Sequence, residues 1–265
     1  MKSCMRILLT AYEYAVFYLA ILLLAVICLT WSLTAIILQP VLPRAAGRWF
    51  GRVVIGKIFE VFFTGLGLTG LFRFDLGALD VLRSEKALII ASNHPALWDA
   101  VMMVSRLPDV ACIMKSEIVG NIFLGGGARL ARYIRNDSLR QMITMAIGEL
   151  KGGSHILLFP EGTRTVRQPI NPLTGSIGVI ACRANAPVQT VLVETDSPFL
   201  GKGWSLLKKP PLPLTYRVRL GRRFDPPANS AALMAELEQY FVSELSTQVA
   251  APAASAVAGS AALAD

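Results

Sequence analysis

Residues 86–100 read KALIIASNHPALWDA and contain the transition that decides the fold. The short apolar run at residues 86–91 predicts a buried strand. Pro95 disfavours helical geometry at the residue before it, so a turn is expected after the strand. A helix is then predicted at residues 99–107, starting at Asp99. A buried strand followed by a turn and a helix is the repeating unit of an α/β domain.

The same alternation continues toward the C-terminus. The clearest helix is predicted at residues 138–150, where apolar residues recur at helical spacing and Gly152 follows the last turn. A glycine-rich stretch, residues 121–130, is interpreted as a loop. Further strands are predicted at residues 111–114, 155–159, 188–194 and 215–220, and further helices at residues 175–184 and 231–245. This order predicts an α/β fold with a mostly parallel central sheet flanked by helices.

An uncharged apolar run occupies residues 14–38, ahead of the α/β region. At about 1.5 Å per residue, a helix of this length exceeds the ~30 Å hydrocarbon core of a bilayer. A secretory signal peptide is the alternative, but its apolar region is usually only about 7–15 residues long. We therefore predict an N-terminal transmembrane helix that is retained as an anchor.

A second apolar stretch, residues 53–72, is interrupted by Lys57 and Glu60. These charges fall on the face opposite the apolar residues, which favours an interfacial or re-entrant helix. A buried helix of the α/β domain is the alternative interpretation.

These segments divide the chain into three predicted parts. A membrane anchor occupies residues 1–75, and an α/β domain occupies residues 76–248. Residues 249–265 are rich in alanine. Such small side chains bury too little area to offset the entropy of ordering, so a disordered tail is predicted.

The formal net charge of +8 suits an anionic partner. Because the predicted span already places the protein at a membrane, lipid headgroups are the expected partner, and nucleic acid is not. Two basic residues precede the span, and four follow it within residues 44–57. The positive-inside rule therefore predicts that the α/β domain lies in the cytoplasm. The four cysteines lack paired spacing and are expected to be buried free thiols, as in a reducing compartment.

His94 is one of two histidines and lies where the first predicted strand turns into its helix. The turn lets the carboxylate of Asp99 fold back toward the imidazole, which residues five apart on one regular helix could not do. A carboxylate on one ring nitrogen leaves the other free to take a proton from a substrate hydroxyl, which would be the nucleophile. The alternative is a structural histidine with Asp99 capping the helix. His155, at the start of a strand, is interpreted as structural.

A second polar motif follows another predicted strand, in residues 155–165, which read HILLFPEGTRT. In open α/β sheets, ligands bind at the carboxyl ends of strands. Gly162 permits close backbone approach, Arg164 offers a planar fork for phosphate, and Glu161 could accept a hydrogen bond from a hydroxyl. Taken alone, the motif could be a surface turn with a solvated ion pair. Two such strand ends in one sheet favour a functional site.

Together the two motifs resemble the lysophospholipid and 1-acylglycerol-3-phosphate acyltransferase family. Its first motif, N-H-x-x-x-x-D, is matched by Asn93, His94 and Asp99. Its F-P-E-G-T-R-S motif is matched at residues 159–164, with Thr165 in place of the final serine. The order and separation of the two motifs also agree with the family.

The resemblance extends over about residues 85–195 and implies a role for each motif residue. His94 would be the general base, and Asp99 would orient it. Arg164 would meet the phosphate of the acceptor. The other residues implied to bind the acceptor are Glu161, Gly162 and Thr163.

Two other regions depart from the family pattern, and both bear on the acceptor. The second family motif commonly ends in an arginine, as in I-x-V-D-R, whereas residues 131–137 read ARYIRND and offer Arg135 as the candidate. The fourth motif often carries two prolines, but this chain keeps Pro187 and has Thr190 where the second would fall.

The sequence therefore predicts a membrane-bound O-acyltransferase that moves a fatty acyl group directly from acyl-CoA or acyl carrier protein to a lysophospholipid hydroxyl. The leading acceptor is 1-acylglycerol-3-phosphate, which would give phosphatidate. No cofactor and no metal are expected, because two histidines without clustered cysteines disfavour a zinc site. The alternatives are the same chemistry on another lysolipid or specialised lipid, and a non-catalytic lipid-binding membrane protein, which would need no poised base.

Overall fold

A computed structural model describes the backbone of residues 2–261 and the side chains of residues 4–246. Its strands are β1 (Phe72–Asp75), β2 (Ile89–Ser92), β3 (Val110–Met114), β4 (Ile134–Arg135), β5 (His155–Leu158), β6 (Val188–Thr195) and β7 (Leu214–Phe224). They form one sheet in the order β1-β7-β6-β2-β5-β3-β4. The strands from β6 to β4 in this order run parallel, whereas β7 is antiparallel to β6 and pairs with β1 in parallel. The predicted mostly parallel α/β fold is therefore confirmed.

Helices cover both faces of the sheet. They are α1 (Lys2–Leu38), α2 (Arg44–Leu68), a 3₁₀ helix (Gly77–Ser84), α3 (Asp99–Arg106), α4 (Ser116–Val119), α5 (Gly125–Leu130), α6 (Leu139–Lys151), α7 (Ser176–Ala184) and α8 (Ser230–Ala261). Helices α2 and α3 pack on one face, and α6, α7 and α8 pack on the other. Within β2, Ile90 belongs to the first core, and Ile89 and Ala91 belong to the second. Burial on both faces explains why β2 is a continuous apolar run.

The glycine-rich stretch at residues 121–130 is not wholly a loop, and that prediction is wrong, because α5 occupies its second half. A Cβ atom at Gly126 would overlap the carbonyl oxygen of Ser32, and one at Gly127 would overlap the indole nitrogen of Trp31. The glycines therefore allow α5 to lie directly against α1. Glycine is common both in loops and where two helices pack closely, so the sequence alone does not show which of these a glycine-rich stretch forms.

Helix α1 contains the entire apolar run predicted to span the membrane, and Cys4–Leu38 is long and apolar enough to cross one. One stripe of α1 packs on the protein, where Phe17 lies edge-on to Phe199 and Ser32 accepts a hydrogen bond from α5. These contacts lie roughly 22 Å apart along the helix axis. A bilayer crossed by α1 must therefore also accommodate the flank of the α/β domain. The exposed apolar residues of α1 include Leu19, Leu22, Leu23, Val26 and Ile37.

Helix α2 covers most of the stretch predicted to be interfacial or re-entrant and starts before it. Its inner face packs on the α/β domain, with the ring of Phe63 edge-on to Trp98 at 5.7 Å. Its outer face leaves Val61 and Leu68 exposed. One side of α2 is part of the domain core, as in the interpretation of a buried domain helix. The other side presents exposed apolar side chains, as in the interpretation of an interfacial helix.

A buried guanidinium fixes α2 to the amino-terminal end of the parallel strands. Arg52 is 2% exposed, and its Nη1 donates to Asp109 at 2.7 Å while Nη2 donates to Glu149 at 2.9 Å. Its Nε donates to the carbonyl of Ala131 at 3.1 Å. The Arg52–Glu149 pair is largely buried, whereas the Asp109 side chain is 54% exposed. Removing one partner of a buried pair typically costs about 3–5 kcal/mol, so the pair with Glu149 contributes most to holding α2 on the domain.

His155 is held by backbone hydrogen bonds, and the four cysteines form no disulfide bond. The Nδ1 of His155 accepts the Leu88 N–H at 3.3 Å, and its Nε2–H donates to the Leu82 carbonyl at 3.2 Å. Burial lowers the pKa of His155, which favours the neutral ring. The four cysteines are free, but only Cys28 and Cys112 are buried, so the prediction of buried thiols is wrong for Cys4 and Cys182. Burial raises the pKa of Cys112 to about 12.

The final helix α8 continues to Ala261, into the segment 249–265 for which the sequence predicts disorder. Residues 262–265 lie outside the described part of the chain, as do the side chains after residue 246. The disordered tail stays a prediction.

The contact between α5 and α1 can be tested with two glycine substitutions. Gly126→Ala should lower the free energy of unfolding by about 1–3 kcal/mol, because the added methyl group has no space beside Ser32. Gly148→Ala is the matched control, since Gly148 is exposed in α6 with open space around it. That change should stabilise the protein by roughly 0.5–1 kcal/mol. Thermal unfolding in detergent followed by circular dichroism measures both, and equal effects would contradict the packing described.

Candidate active site

The two polar motifs lie at the ends of neighbouring strands. Strands β2 and β5 are paired in parallel, with Ile89 opposite Ile156, so both chains leave the sheet at the same edge. The N-H-x-x-x-x-D motif follows β2 and the F-P-E-G-T-R motif follows β5. The predicted convergence of the two motifs at the carboxyl edge is therefore observed.

His94 and Asp99 form a hydrogen-bonded pair. The His94 Nδ1 lies 2.9 Å from Oδ2 of Asp99, and the same oxygen accepts the Ala96 N–H at 2.7 Å. Asp99 is the first residue of α3 and is fully buried. Its carboxylate bonds the turn and the imidazole and does not cap the helix. The turn at Pro95 therefore brings together two residues that a continuous helix would separate.

The environment of Asp99 determines which nitrogen of His94 can act. Burial raises the pKa of the Asp99 carboxyl, and hydrogen bonds from His94 and Ala96 oppose that rise. Among the described residues, Oδ1 of Asp99 has no hydrogen-bond partner, so the donors converge on Oδ2. An acceptor beside Nδ1 favours the tautomer with its proton there. Nε2 is then the nitrogen with a free lone pair.

Stacking fixes the plane of the imidazole. The rings of His94 and Phe159 are 3.9 Å apart between centroids and only 20° from parallel. The His94 side chain remains 16% exposed. The ring is thus held through one nitrogen and one face while part of it stays accessible to a substrate.

Glu161 connects the two motifs. Its Oε1 accepts the backbone N–H of His94 at 3.0 Å and the hydroxyl of Thr165 at 2.7 Å. Its Oε2 accepts the backbone N–H of Asn171 at 2.9 Å. Glu161 is 4% exposed. The sequence predicts that Glu161 helps to bind the acceptor, whereas its contacts in the structure hold the site together.

Gly162 and Thr163 form the turn after β5. Gly162 has a φ of +67°, the left-handed region that glycine adopts without steric cost, and its N–H donates to the Phe159 carbonyl at 2.9 Å. Gly162 is exposed and Thr163 is half-buried. Both residues therefore lie at the open edge of the site, where acceptor binding is predicted.

Arg164 is held by a chain segment after β6. Its Nη1 donates to the carbonyl of Leu200 at 2.8 Å and to that of Gly201 at 3.0 Å. Leu200 also accepts the N–H of Leu97, inside the first motif, at 3.0 Å. Both hydrogen bonds come from Nη1, one of the three guanidinium nitrogens, and they fix the orientation of the group.

Arg135 lies at the same edge of the sheet but further along it. It ends β4, two strands from β5, which corresponds to roughly 10 Å at the usual strand spacing. Its guanidinium is exposed and paired with Asp137. The structure therefore does not bring Arg135 into contact with His94 or Asp99, and its role stays a prediction.

Three residues that contribute to the site are assigned no role in the sequence analysis. The side-chain amide of Asn93 pairs with both backbone groups of Val193, at 2.8 and 2.9 Å, and so fastens the turn to β6. The Oδ1 of Asn171 accepts two backbone N–H groups of the loop after Arg164. The Asn-Pro pair at Asn171 is a turn signal that could have drawn attention to it. Nothing in the sequence indicated the role of Leu200.

Within residues 2–261, no group of three or more His, Cys, Asp or Glu side chains is arranged to hold a metal ion. The polar groups at the site are a histidine, the carboxylate hydrogen-bonded to it and an arginine. Such a set suits proton transfer beside an anionic substrate.

Comparison with known proteins identifies the class of enzyme. The Acyltransferase family model matches residues 73–194, which contain both motifs. The resemblance expected from those motifs is thereby confirmed, and the chain is an O-acyltransferase.

Individual relatives agree with this class. The chain is 25% identical over 236 residues to the 1-acyl-sn-glycerol-3-phosphate acyltransferase of Pseudomonas aeruginosa, covering 82% of this chain and 84% of that protein. It is 26% identical over 193 residues to human 1-acyl-sn-glycerol-3-phosphate acyltransferase beta, covering 70% and 67%. The crystal structure of the 1-acyl-sn-glycerophosphate acyltransferase PlsC from Thermotoga maritima has the same fold, with a TM-score of 0.63 at 20% identity over 94% of this chain and 98% of that one.

The base assignment yields a direct test. His94→Ala should reduce turnover by about 10²–10⁴-fold, because no other described group occupies the position of Nε2. Asp99→Asn should lower kcat more than it raises KM, since the carboxylate orients the ring and does not contact the bulk of a substrate. Steady-state kinetics of purified enzyme measures both, with circular dichroism as the check on folding. Near-normal turnover by folded His94→Ala protein would end this assignment.

Proposed function

We propose that the enzyme transfers a fatty acyl group from acyl-CoA or acyl carrier protein to the free hydroxyl of 1-acylglycerol-3-phosphate, giving phosphatidate. The observation that carries this proposal is the His94–Asp99 pair, whose geometry leaves Nε2 free at the edge of the sheet. The names of the Pseudomonas aeruginosa and human relatives support this acceptor.

The reaction is a direct transfer. Nε2 of His94 removes the proton of the acceptor hydroxyl as that oxygen attacks the thioester carbonyl carbon. The new C–O bond forms, the C–S bond breaks, and the imidazolium returns its proton to the departing thiolate. Asp99, held by Ala96 and buried, stabilises the transient positive charge on the ring. Glu161 and Phe159 keep the backbone and ring of His94 in place.

A small apolar cavity of about 80 Å³ beside α3 has room for only a short part of an acyl chain. It lies between the N-terminal helices and the sheet and reaches Ala100 and Val101, which directly follow Asp99. An apolar chain in such a cavity gains free energy in proportion to the area it buries. Other residues that line the cavity are Cys28, Trp31, Ile55, Phe59, Val104, Met114 and Tyr133.

Phosphate recognition by Arg164 separates this acceptor from neutral lysolipids. Arg164→Ala should raise the apparent KM for lysophosphatidate strongly, because a charged hydrogen bond typically contributes about 1.5–3 kcal/mol. Arg164→Lys should recover only part of the loss, since an ammonium lacks the planar fork. The measurement is the acylation of lysolipids that differ only in headgroup.

Monoacylglycerol supplies the internal reference for that experiment. Because Arg164 also holds Leu200 and Gly201, general damage to the site would lower use of both acceptors, whereas a lost phosphate contact penalises only the phosphorylated one. Arg183→Ala, in the last turn of α7, is the control for removal of a positive charge elsewhere. Equal use of both acceptors by the parent enzyme would refute the phosphate site and favour a different lysolipid.

We also propose that the enzyme is attached to a membrane with its α/β domain in the cytoplasm. The exposed apolar face of α1 supports attachment. The orientation rests on the excess of basic residues after the apolar run. Arg48, Arg52 and Lys57, counted in that excess, form ion pairs with acidic residues, namely Glu149, Asp109 and Glu60. The positive-inside rule counts Lys and Arg residues and not net charge, so these pairs leave the proposed orientation unchanged.

Membrane attachment through α1 predicts resistance to extraction. The full-length protein should stay in the membrane fraction after washing with high salt and with alkaline carbonate, because its contact is mainly apolar. Immunoblotting of pellet and supernatant measures the outcome. Release by salt alone would indicate a purely electrostatic attachment and contradict the proposal.

A further inference from the structure

A compact loop follows the segment that holds Arg164. Residues 202–208, here termed the docking loop, are folded on themselves: the indole N–H of Trp204 donates to the Lys208 carbonyl at 2.9 Å, and the Lys208 N–H donates to the Ser205 carbonyl at 2.9 Å. The Lys208 ammonium lies 4.8 Å from the centre of the Trp204 ring. These contacts give the loop a defined shape, so its outward residues present a defined surface.

That surface combines apolar and basic side chains. Leu206 and Leu207 are adjacent and are 52% and 62% exposed. Lys202 and Lys208 are exposed on either side of them. Exposed neighbouring leucines are unfavourable in water. Flanked by lysines, they match the boundary between acyl chains and anionic headgroups.

The docking loop is attached to α1. The Tyr18 hydroxyl donates to the Leu207 carbonyl at 3.3 Å. Lys209, directly after the loop, pairs with Glu13 at 2.8 Å, and its ammonium lies 5.1 Å from the Tyr14 ring centre. Tyr14 and Tyr18 are each 46% exposed. Tyrosine is enriched where membranes meet water, so the loop continues the apolar face of α1 at such a boundary.

The other end of the docking loop leads to the active site. Leu200 is buried and has a φ of +60°, which is costly for a leucine and requires support from its surroundings. That support includes the hydrogen bonds of its carbonyl to Leu97 and Arg164. Phe199 lies edge-on to Trp98 at 5.4 Å. The backbone that leads into the loop therefore contacts both motifs.

We propose that α1 lies along one anionic phospholipid leaflet and that the docking loop is a second membrane-contacting element, which inserts Leu206 and Leu207 into the same leaflet beside α1. Lys202 and Lys208 bind the headgroup phosphates of that leaflet. The loop thereby holds the active-site edge of the sheet at the surface from which the lipid acceptor enters. An acidic protein could also be attracted by the lysines, but the exposed leucines and the continuity with α1 favour lipid.

A fluorescent probe tests lipid contact without reference to catalysis. A polarity-sensitive dye is attached to full-length protein at Leu207→Cys, with Cys4→Ser and Cys182→Ser removing the more accessible thiols. On vesicles containing phosphatidylglycerol, the dye should shift to the blue and be quenched by lipids carrying a spin label on the acyl chain. The same dye at Met145→Cys, exposed on α6 across the sheet, should do neither. A water-like spectrum at Leu207→Cys on vesicles, or a shift seen only with acyl carrier protein, would overturn the proposal.

A kinetic comparison tests the consequence for the enzyme and rests on the proposed acyl transfer. The double substitution Leu206→Asp and Leu207→Asp should raise the apparent KM for vesicle-embedded lysophosphatidate by about tenfold or more, because two leucines that would be buried in the lipid are lost. Use of a short-chain, water-soluble acceptor should stay unchanged, since the variant leaves Arg164 and His94 intact. Leu139→Asp with Met145→Asp is the matched control and should alter neither. An equal loss of activity on the vesicle-embedded and the water-soluble acceptor would contradict a docking role. An equal loss in the docking-loop variant and the control variant would also contradict it. If the parent enzyme acylated neither acceptor, that result would count against the proposed reaction and not against the docking loop.

Discussion

The carboxylate of Glu161 joins the ends of two neighbouring strands, and the rest of the site depends on this junction. A buried carboxylate is stable only when donors satisfy it, and here the donors come from His94, Thr165 and Asn171. One of them is the backbone N–H of His94, the proposed base. The position of the base after β2 is therefore coupled to the motif after β5, although 67 residues separate the two.

The imidazole of His94, the proposed base, is consequently fixed from several directions. Asp99 holds Nδ1, Phe159 covers one face of the ring, and Glu161 holds the backbone. The contacts come from both motifs, which lie far apart in the chain, so the orientation is set by the fold and not by one loop. Preorganisation of this kind lowers the cost of reaching the transition state, because little has to be rearranged during proton transfer.

Much of this arrangement could be predicted from sequence, because it depends on local rules. Apolar runs marked the strands, and Pro95 marked the turn that lets Asp99 reach His94. The remaining features depend on contacts between distant segments. Gly126 lies in a sequence typical of a loop, but the structure places it in a helix against Ser32. Arg52 has the sequence pattern of a surface charge, yet it is buried. No sequence signal marks the strained backbone of Leu200. Strand β1 at the edge of the sheet lies inside the segment predicted as anchor. This strand is not predicted in the sequence analysis, because four residues are too few to show a strand pattern.

The central claim is that the acyl group passes directly to a hydroxyl activated by the His94–Asp99 pair, with no protein nucleophile. Intact-protein mass spectrometry after rapid mixing with acyl donor in the absence of acceptor tests this claim most directly. Direct transfer predicts an unchanged protein mass, followed by full acylation of acceptor added afterwards. A mass increase equal to one acyl group, lost when acceptor is added, would reveal an acyl-enzyme intermediate and contradict the account.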